Sequence, residues 1–283
     1  MKPTDNETQT GEILVIGATG KTGSRIVNNL KQRGLPVRSG SRSATPPFDW
    51  QNPSGWQACL SGVSAIFISY APDLAAPGAR DAIVELMRAA RTQGVQRAVI
   101  LSGRGEPEAQ ACEKVVMSSG LEWTVVRASW FNQNFSEGAF VEMVNAGVIQ
   151  LPAGKIAEPF VDVDDIAEVA TVALTEPGHN GQVYEVTGPR LLTFGDVAKE
   201  LSRATGRSIA FTEIPHEAFV RGVAESGAPE VVVWMMDYLF SVVLDGRNAS
   251  LTDGVERALG RQPKDFSAYA RDVAASGQWG SAA

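Results

Sequence analysis

Glycines at 17, 20 and 23 follow the apolar run Ile13-Leu14-Val15-Ile16 and precede a helical pattern, so Gly17-Ala18-Thr19-Gly20-Lys21-Thr22-Gly23 joins a buried strand to a helix through a tight turn. The chemistry of such a turn is anion binding. Glycine lets the chain reverse sharply and lets backbone amides approach a ligand, while the helix N-terminus directs unpaired N–H groups at negative charge. The strict GxGxxG spacing is absent, because the middle glycine stands at 20 rather than 19. A nucleoside-triphosphate P-loop is excluded, since it needs glycine where Val15 stands. The expected guest is a dinucleotide diphosphate, and Gly17, Thr19, Gly20, Lys21, Thr22 and Gly23 are the residues expected to hold it.

The end of the second strand decides between the two nicotinamide cofactors. An acid there would hydrogen-bond a ribose 2′-hydroxyl, whereas the planar fork of arginine pairs with a 2′-phosphate. From Ser24 through Phe48 there is no Asp or Glu, and Arg38 and Arg42 lie on or just after the strand. Arg42, between Ser41 and Ser43, is expected at the phosphate, and Asp49 on the adenine side. This predicts NADPH preference with NADH tolerated. Nicotinamide would then face Ser69 to Pro72, Ser102 to Arg104 and Ala128 to Asn132, so Ser69, Tyr70 and Ser102 are expected beside it. Tyr70, Ser102, Trp130 and Asn132 are the polar or aromatic groups nearest the transferred hydride. Tyr70 is the first choice of proton donor if one is needed, with Ser102 second.

Trp130 and Phe131 offer either a flat apolar wall or ordinary core. The same choice holds for Trp234, Tyr238, Met235 and Leu239, which occupy adjoining faces of one helix and could close over a planar aromatic ligand. His179 and His216 are the only histidines, and no clustered ligand set accompanies them, so no metal is expected. Asp162, Asp164 and Asp165 look like a ligand trio, but Asp164 or Asp165 more simply caps a following helix.

Short β-branched runs alternating with helical patterns predict the elements that position these groups. Strands are expected at Ile13–Ile16, Val37–Ser41, Phe48–Asp49, Ala65–Tyr70, Ala98–Ser102 and Trp123–Arg127, and helices at about Gly20–Arg33, Ala79–Thr92 and Pro107–Ser119. Further on, a helix is expected at Asn134–Asn145, a strand at Phe160–Val163, a helix at Asp164–Leu174 and a strand at Gln182–Val186. Thr193, with Asp196 three residues on, should cap a helix running to about Ala204. The fold class is α/β, a Rossmann-type doubly wound parallel sheet with a smaller, mostly helical C-terminal substrate lobe. Residues 1–11 are expected as a disordered tail, 12–150 as the NAD(P)-binding domain and 151–283 as the substrate lobe, with 160–187 returning to the sheet.

The GATGxTG turn comes first, then Gly120-Leu121-Glu122-Trp123-Thr124-Val125-Val126-Arg127. Trp130-Phe131-Asn132-Gln133-Asn134-Phe135 and Phe160-Val161-Asp162-Val163-Asp164-Asp165-Ile166-Ala167 complete the set. Together these motifs resemble the NmrA-like branch of the atypical short-chain dehydrogenase/reductase superfamily over about residues 12 to 210, nearest its flavin-free azoreductase and ergot-type iminium reductase subgroup. The resemblance implies either an NAD(P)H-dependent reductase of azo, quinone or iminium acceptors, or a regulator that binds NADP without turnover. Ordinary members of the wider superfamily use a tyrosine with a lysine four residues later. Here Tyr70, Tyr184, Tyr238 and Tyr269 are followed at that spacing by Leu74, Gly188, Val242 and Val273, so the pair is missing. An isoflavone-type reductase would want a lysine in the helix after the strand Ala98–Ser102. Lys114 is the one there, and its neighbour Glu113 points to a structural role.

The 283 residues carry a net charge of −7 with 44% hydrophobic content, so the chain folds as a globular protein with no steering field for nucleic acid or anionic lipid. Cys59 and Cys112 lack zinc or CxxC spacing, and the start MKPTDNETQT has no apolar signal-peptide core. Val231–Leu244 is too short to span a bilayer and contains Asp237. The expectation is a cytoplasmic monomer or homodimer acting on a small aromatic or conjugated substrate.

Overall fold

The computed structural model describes residues 11–279; the tail expected at the N-terminus lies, in its first ten residues, outside them. Among the described residues there are ten strands and eleven α-helices: β1 Glu12–Ile16, α1 Lys21–Gln32, β2 Val37–Gly40, α2 Trp56–Leu60, β3 Val63–Ile68, α3 Ala79–Thr92, β4 Arg97–Gly103, α4 Pro107–Met117 and β5 Glu122–Ala128 come first. They are followed by α5 Val141–Asn145, β6 Val148–Leu151, β7 Ala157–Glu158, α6 Val163–Thr175, β8 Gln182–Val186, β9 Leu192–Thr193, α7 Phe194–Thr205 and β10 Ala210–Glu213. Helices α8 His216–Glu225, α9 Glu230–Tyr238, α10 Gly254–Leu259 and α11 Phe266–Ala275 close the chain.

Six strands form one parallel sheet in the order β2-β1-β3-β4-β5-β8. Strand order reverses beside β1, and the crevice at the carboxyl ends there is where ligands bind in doubly wound folds. Burial on both faces explains the apolar runs of β1, β3 and the middles of β4 and β5, while the edge strands β2 and β8 carry polar residues. Along β1, Ile13 and Val15 pack with Ile26, Val27 and Leu30 of α1 and with α6, whereas Leu14 and Ile16 pack with α2, α3 and α4. A third core is aromatic, with Phe135, Phe140, Phe160, Phe194, Phe240 and Phe266 in contact around it, so Phe135 and Phe140, expected in the nucleotide domain, pack with the lobe.

Several expectations fail locally. Phe48–Asp49 is not a strand: Phe48 is buried as a ring stacked on Trp56, at 5.5 Å and 7°, within a loop pinned by its amide to the Ser41 carbonyl at 2.9 Å. The helix expected at Asn134–Asn145 is a 3₁₀ turn at Asn132–Phe135 followed by the short α5, because the chain closes on itself at Gly138, where a Cβ would stand 3.1 Å from the Asn134 Cα. Phe160–Val163 contributes one bridge, Phe131 with Val161, before α6 begins at Val163. Of 160–187, only β8 joins the sheet. The cap of α6 is Asp162, whose Oδ1 accepts the Asp164 amide at 2.9 Å, and not Asp164 or Asp165. Thr193 and Asp196 form the expected reciprocal cap of α7. Sequence reasoning missed the parallel pair β6–β10 in the lobe. No helix among the described residues is long and apolar enough to cross a membrane.

Candidate active site

The glycine turn is built as an anion cradle. Gly17 has φ +80°, and its amide and that of Ala18 are both directed at the Gly40 carbonyl, at 2.9 and 3.3 Å. The Gly20 amide closes back on the Gly17 carbonyl at 2.9 Å. At Gly23 a Cβ would overlap that same carbonyl oxygen and stand 2.7 Å from its carbon, so α1 can approach the turn only with glycine there. Gly20 caps α1 with no side chain, and no acid lies in the first turn, leaving the first-turn amides for an incoming anion. Thr19 and Gly20 are exposed at the turn and Thr22 is buried behind it. These features fit a dinucleotide diphosphate.

The two arginines of the second strand separate cleanly. Arg38 is spent: its guanidinium pairs with Glu12 and donates to the Cys59 and Ser61 carbonyls, both at 2.8 Å. Arg42 is exposed and has no hydrogen-bond or ion-pair partner among the described residues. Asp49 sits in a turn, where its Oδ1 accepts the Gln51 amide at 3.0 Å and its carbonyl accepts the Trp56 indole N–H at 2.7 Å.

A cleft of about 380 Å³ opens beside the turn, lined from the sheet by Ser69, Tyr70 and Ser102 and from beyond β5 by Trp130 and Phe131. Lys21 also reaches it, its ammonium standing over Gly138, and burial lowers its pKa despite the attraction of Glu137. The lobe closes the far side with Met235, Met236 and Leu239. Trp234 and Tyr238 instead stack on each other at 5.3 Å, and the Tyr238 hydroxyl donates to Glu108 at 2.5 Å, so the methionine face of this helix is the one turned to the cleft. Asn132 does not line the cleft. It is fully buried, its backbone amide bound to the Val161 carbonyl at 2.8 Å, because the 3₁₀ turn carries it inward and presents Asn134 in its place.

Ser102 is held from behind. Its hydroxyl donates to Glu113 at 2.6 Å, and Glu113 is gripped by Arg127, at 2.5 and 2.9 Å. Arg127 also bonds Glu185 at 2.5 Å, and Arg104 reaches the same carboxylate at 3.3 Å. Arg104 Nη1 donates to the Asn248 and Ser250 carbonyls, at 2.7 and 2.8 Å, and Nη2 to the Ser250 hydroxyl at 2.7 Å. Tyr70 leans on Trp50 with ring centroids 4.7 Å apart, and burial raises its phenol pKa. Sequence reasoning missed Asp73, Glu106 and Asn134, all of which line the cleft, whereas Ser129 falls within the expected segment Ala128 to Asn132; the one available signal was an acid at 106 directly before the helix-starting Pro107.

Comparison with known proteins gives concordant matches. A family model described as NAD(P)H-binding matches residues 17–177, and the NmrA-like family model matches residues 108–270. The NAD(P)H azoreductase of Xenophilus azovorans is 31% identical over 287 residues, 93% of this chain and 98% of its own. Agroclavine dehydrogenase of Claviceps fusiformis is 32% identical over 285 residues, 92% of this chain and 96% of its own. Among solved structures, the Escherichia coli NADPH-dependent quinone oxidoreductase complexed with NADPH superimposes with a TM-score of 0.77 at 19% identity, covering 92% of this chain and 99% of that one, which speaks to the fold.

Proposed function

Since the chain belongs to the NmrA-like family and carries an NAD(P)H-binding domain, it is an NAD(P)H-dependent oxidoreductase, and we propose that it is a flavin-free reductase of conjugated, electron-poor acceptors. The favoured acceptors are azo compounds and quinones, ahead of iminium compounds. One observation carries this reading: the anion cradle and a cleft walled by Trp130, Met235 and Met236 adjoin, so a planar apolar acceptor fits beside a bound dinucleotide. Aromatic and thioether groups favour flat, polarisable ligands.

Reduced nicotinamide supplies hydride. On this reading Gly17, Thr19, Gly20, Lys21, Thr22 and Gly23 hold the diphosphate, Arg42 takes the 2′-phosphate of the preferred NADPH, and Asp49 borders the adenine. Ser69, Tyr70 and Ser102 stand at the nicotinamide end, and Ser102 is fixed in place by Glu113. The protein works in the cytoplasm as a monomer or homodimer. The test is NADPH oxidation by purified protein, without added flavin, against a panel of azo, quinone and cyclic imine compounds. Loss of NADPH absorbance with an azo or quinone acceptor supports the reading. No loss at saturating protein, with dinucleotide bound, replaces it with a non-catalytic NADP sensor.

A further inference from the structure

The cleft contains an acid pair without an assigned task. Glu106 occupies the cap position of α4, where a side chain ordinarily accepts from the first-turn amides, yet it makes no capping bond. Its carboxyl lies instead against Gly103 at the end of β4, where a Cβ would overlap Oε1 and stand 2.5 Å from Oε2. Only glycine admits the group there. Glu106 is 6% exposed, lines the cleft, and no donor among the described residues reaches its Oε2. Asp73, on the loop after β3, presents its own carboxyl to Glu106 within hydrogen-bond reach and is itself fixed by the Ala75 amide at 2.7 Å.

A buried carboxyl that meets no cation and has a second carboxyl beside it disfavours its charged form, so Glu106 is biased toward keeping its proton. The surrounding charges do not relieve this. On α4, Glu108 accepts the Tyr238 hydroxyl and Glu113 is taken by Arg127 and Ser102. At the end of β4, Arg104 is bound to Glu185, Asn248 and Ser250. In the loop after α9, Arg247 is bound to Asp245 at 2.7 Å and to the Gly105 carbonyl at 3.2 Å. Across the cleft, Lys21 faces Glu137. Burial first, and then Asp73, hold the Glu106 carboxyl well above the usual range, with Glu108 and Glu113 adding to the effect. Burial first, and then Cys112, make Tyr70 a poorer acid than a free phenol.

We propose that Glu106 is the proton donor to the acceptor and that Asp73 is the positioning residue that keeps it protonated. The inference rests on the proposed reductase function. With an azo acceptor, one nitrogen takes the hydride from reduced nicotinamide and the other takes the proton from Glu106. The N=N π bond becomes two N–H bonds, oxidised dinucleotide and a hydrazo product leave, and water returns a proton to the Glu106 carboxylate.

The test joins infrared difference spectroscopy of the ligand-free full chain with the pH dependence of kcat. Wild-type protein at pH 7 should show a protonated-carboxyl band that Glu106→Gln removes, and Glu106→Gln should lower kcat about 100-fold or more while changing NADPH affinity less than twofold. Asp73→Asn should move the alkaline limb of the pH–rate profile to lower pH, a readout indifferent to a purely structural role and available if Glu106→Gln fails to fold. An unchanged carboxyl band in Glu106→Gln, an unmoved limb in Asp73→Asn, or full turnover by Glu106→Gln beside loss in Tyr70→Phe each overturns the proposal. Wild-type protein inert toward every acceptor overturns the reductase reading and the donation step with it, while the infrared band reports separately on whether the pair holds its proton.

Discussion

Glu158, in the two-residue strand β7, is fully buried, and burial pushes its carboxyl up to about 7 from 4.5, against the attraction of Arg104 and the Ser129 hydroxyl. Below pH 4.5 the proton is on the group in both the folded and the unfolded chain, and it contributes no difference. Between 4.5 and about 7 the unfolded chain releases the proton and the folded chain keeps it, so stability falls as pH rises through that window and stays low above it. The full loss is the shift multiplied by the linkage constant, about 3 kcal/mol. Glu158→Gln retains the shape of the protonated acid without its titration. The variant should therefore match wild type near pH 4.5 and exceed it by about 3 kcal/mol at pH 8.5, on the order of 5 °C or more in melting temperature. Paired thermal melts at five pH values from 4.5 to 8.5 would check this. A difference between the two proteins that does not grow with pH would refute the reasoning, because it would mean the carboxyl ionises in the folded chain as freely as in the unfolded one.

Arg42→Ala should weaken NADPH by about 1.5–3 kcal/mol, the scale of a charged hydrogen bond, and leave NADH unchanged; calorimetry showing equal losses would remove Arg42 from the phosphate. Gly23→Ala drives a methyl group into the Gly17 carbonyl, a backbone contact that cannot swing aside, so about 1–3 kcal/mol of stability and much of the dinucleotide affinity should go together in melts and titrations. Glu113→Gln leaves Arg127 half-paired and Ser102 without its carboxylate acceptor, and should cost about 3 kcal/mol in urea unfolding. A cost below about 1 kcal/mol would show that Glu185 alone satisfies Arg127.

Much of the sheet was legible because its strands are buried on both faces and separated by amphipathic helices. The helix Ala79–Thr92 and the strand Gln182–Val186 fall on the predicted residues. The glycine turn was legible because its spacing follows from a contact between α1 and the turn that excludes any side chain. What escaped is what depends on distant partners. Phe48 reads as strand because it is apolar, but it is apolar to stack on Trp56, and Asn132 reads as a cleft residue by its distance from β5, while the 3₁₀ turn rotates it inward. Glu106 and Asp73 come from different crossovers and meet only when β3 and β4 lie side by side, so no local pattern announces the pair.

The guanidinium of Arg104 fastens the sheet to a distant segment at one point, gripping the Glu185 carboxylate of β8 on one side and the main chain at 248 and 250, just ahead of α10, on the other. Loosening that segment would strand a cation that its remaining partner cannot satisfy alone. Segment and sheet are thereby latched, and heat should undo them in a single step instead of peeling one from the other.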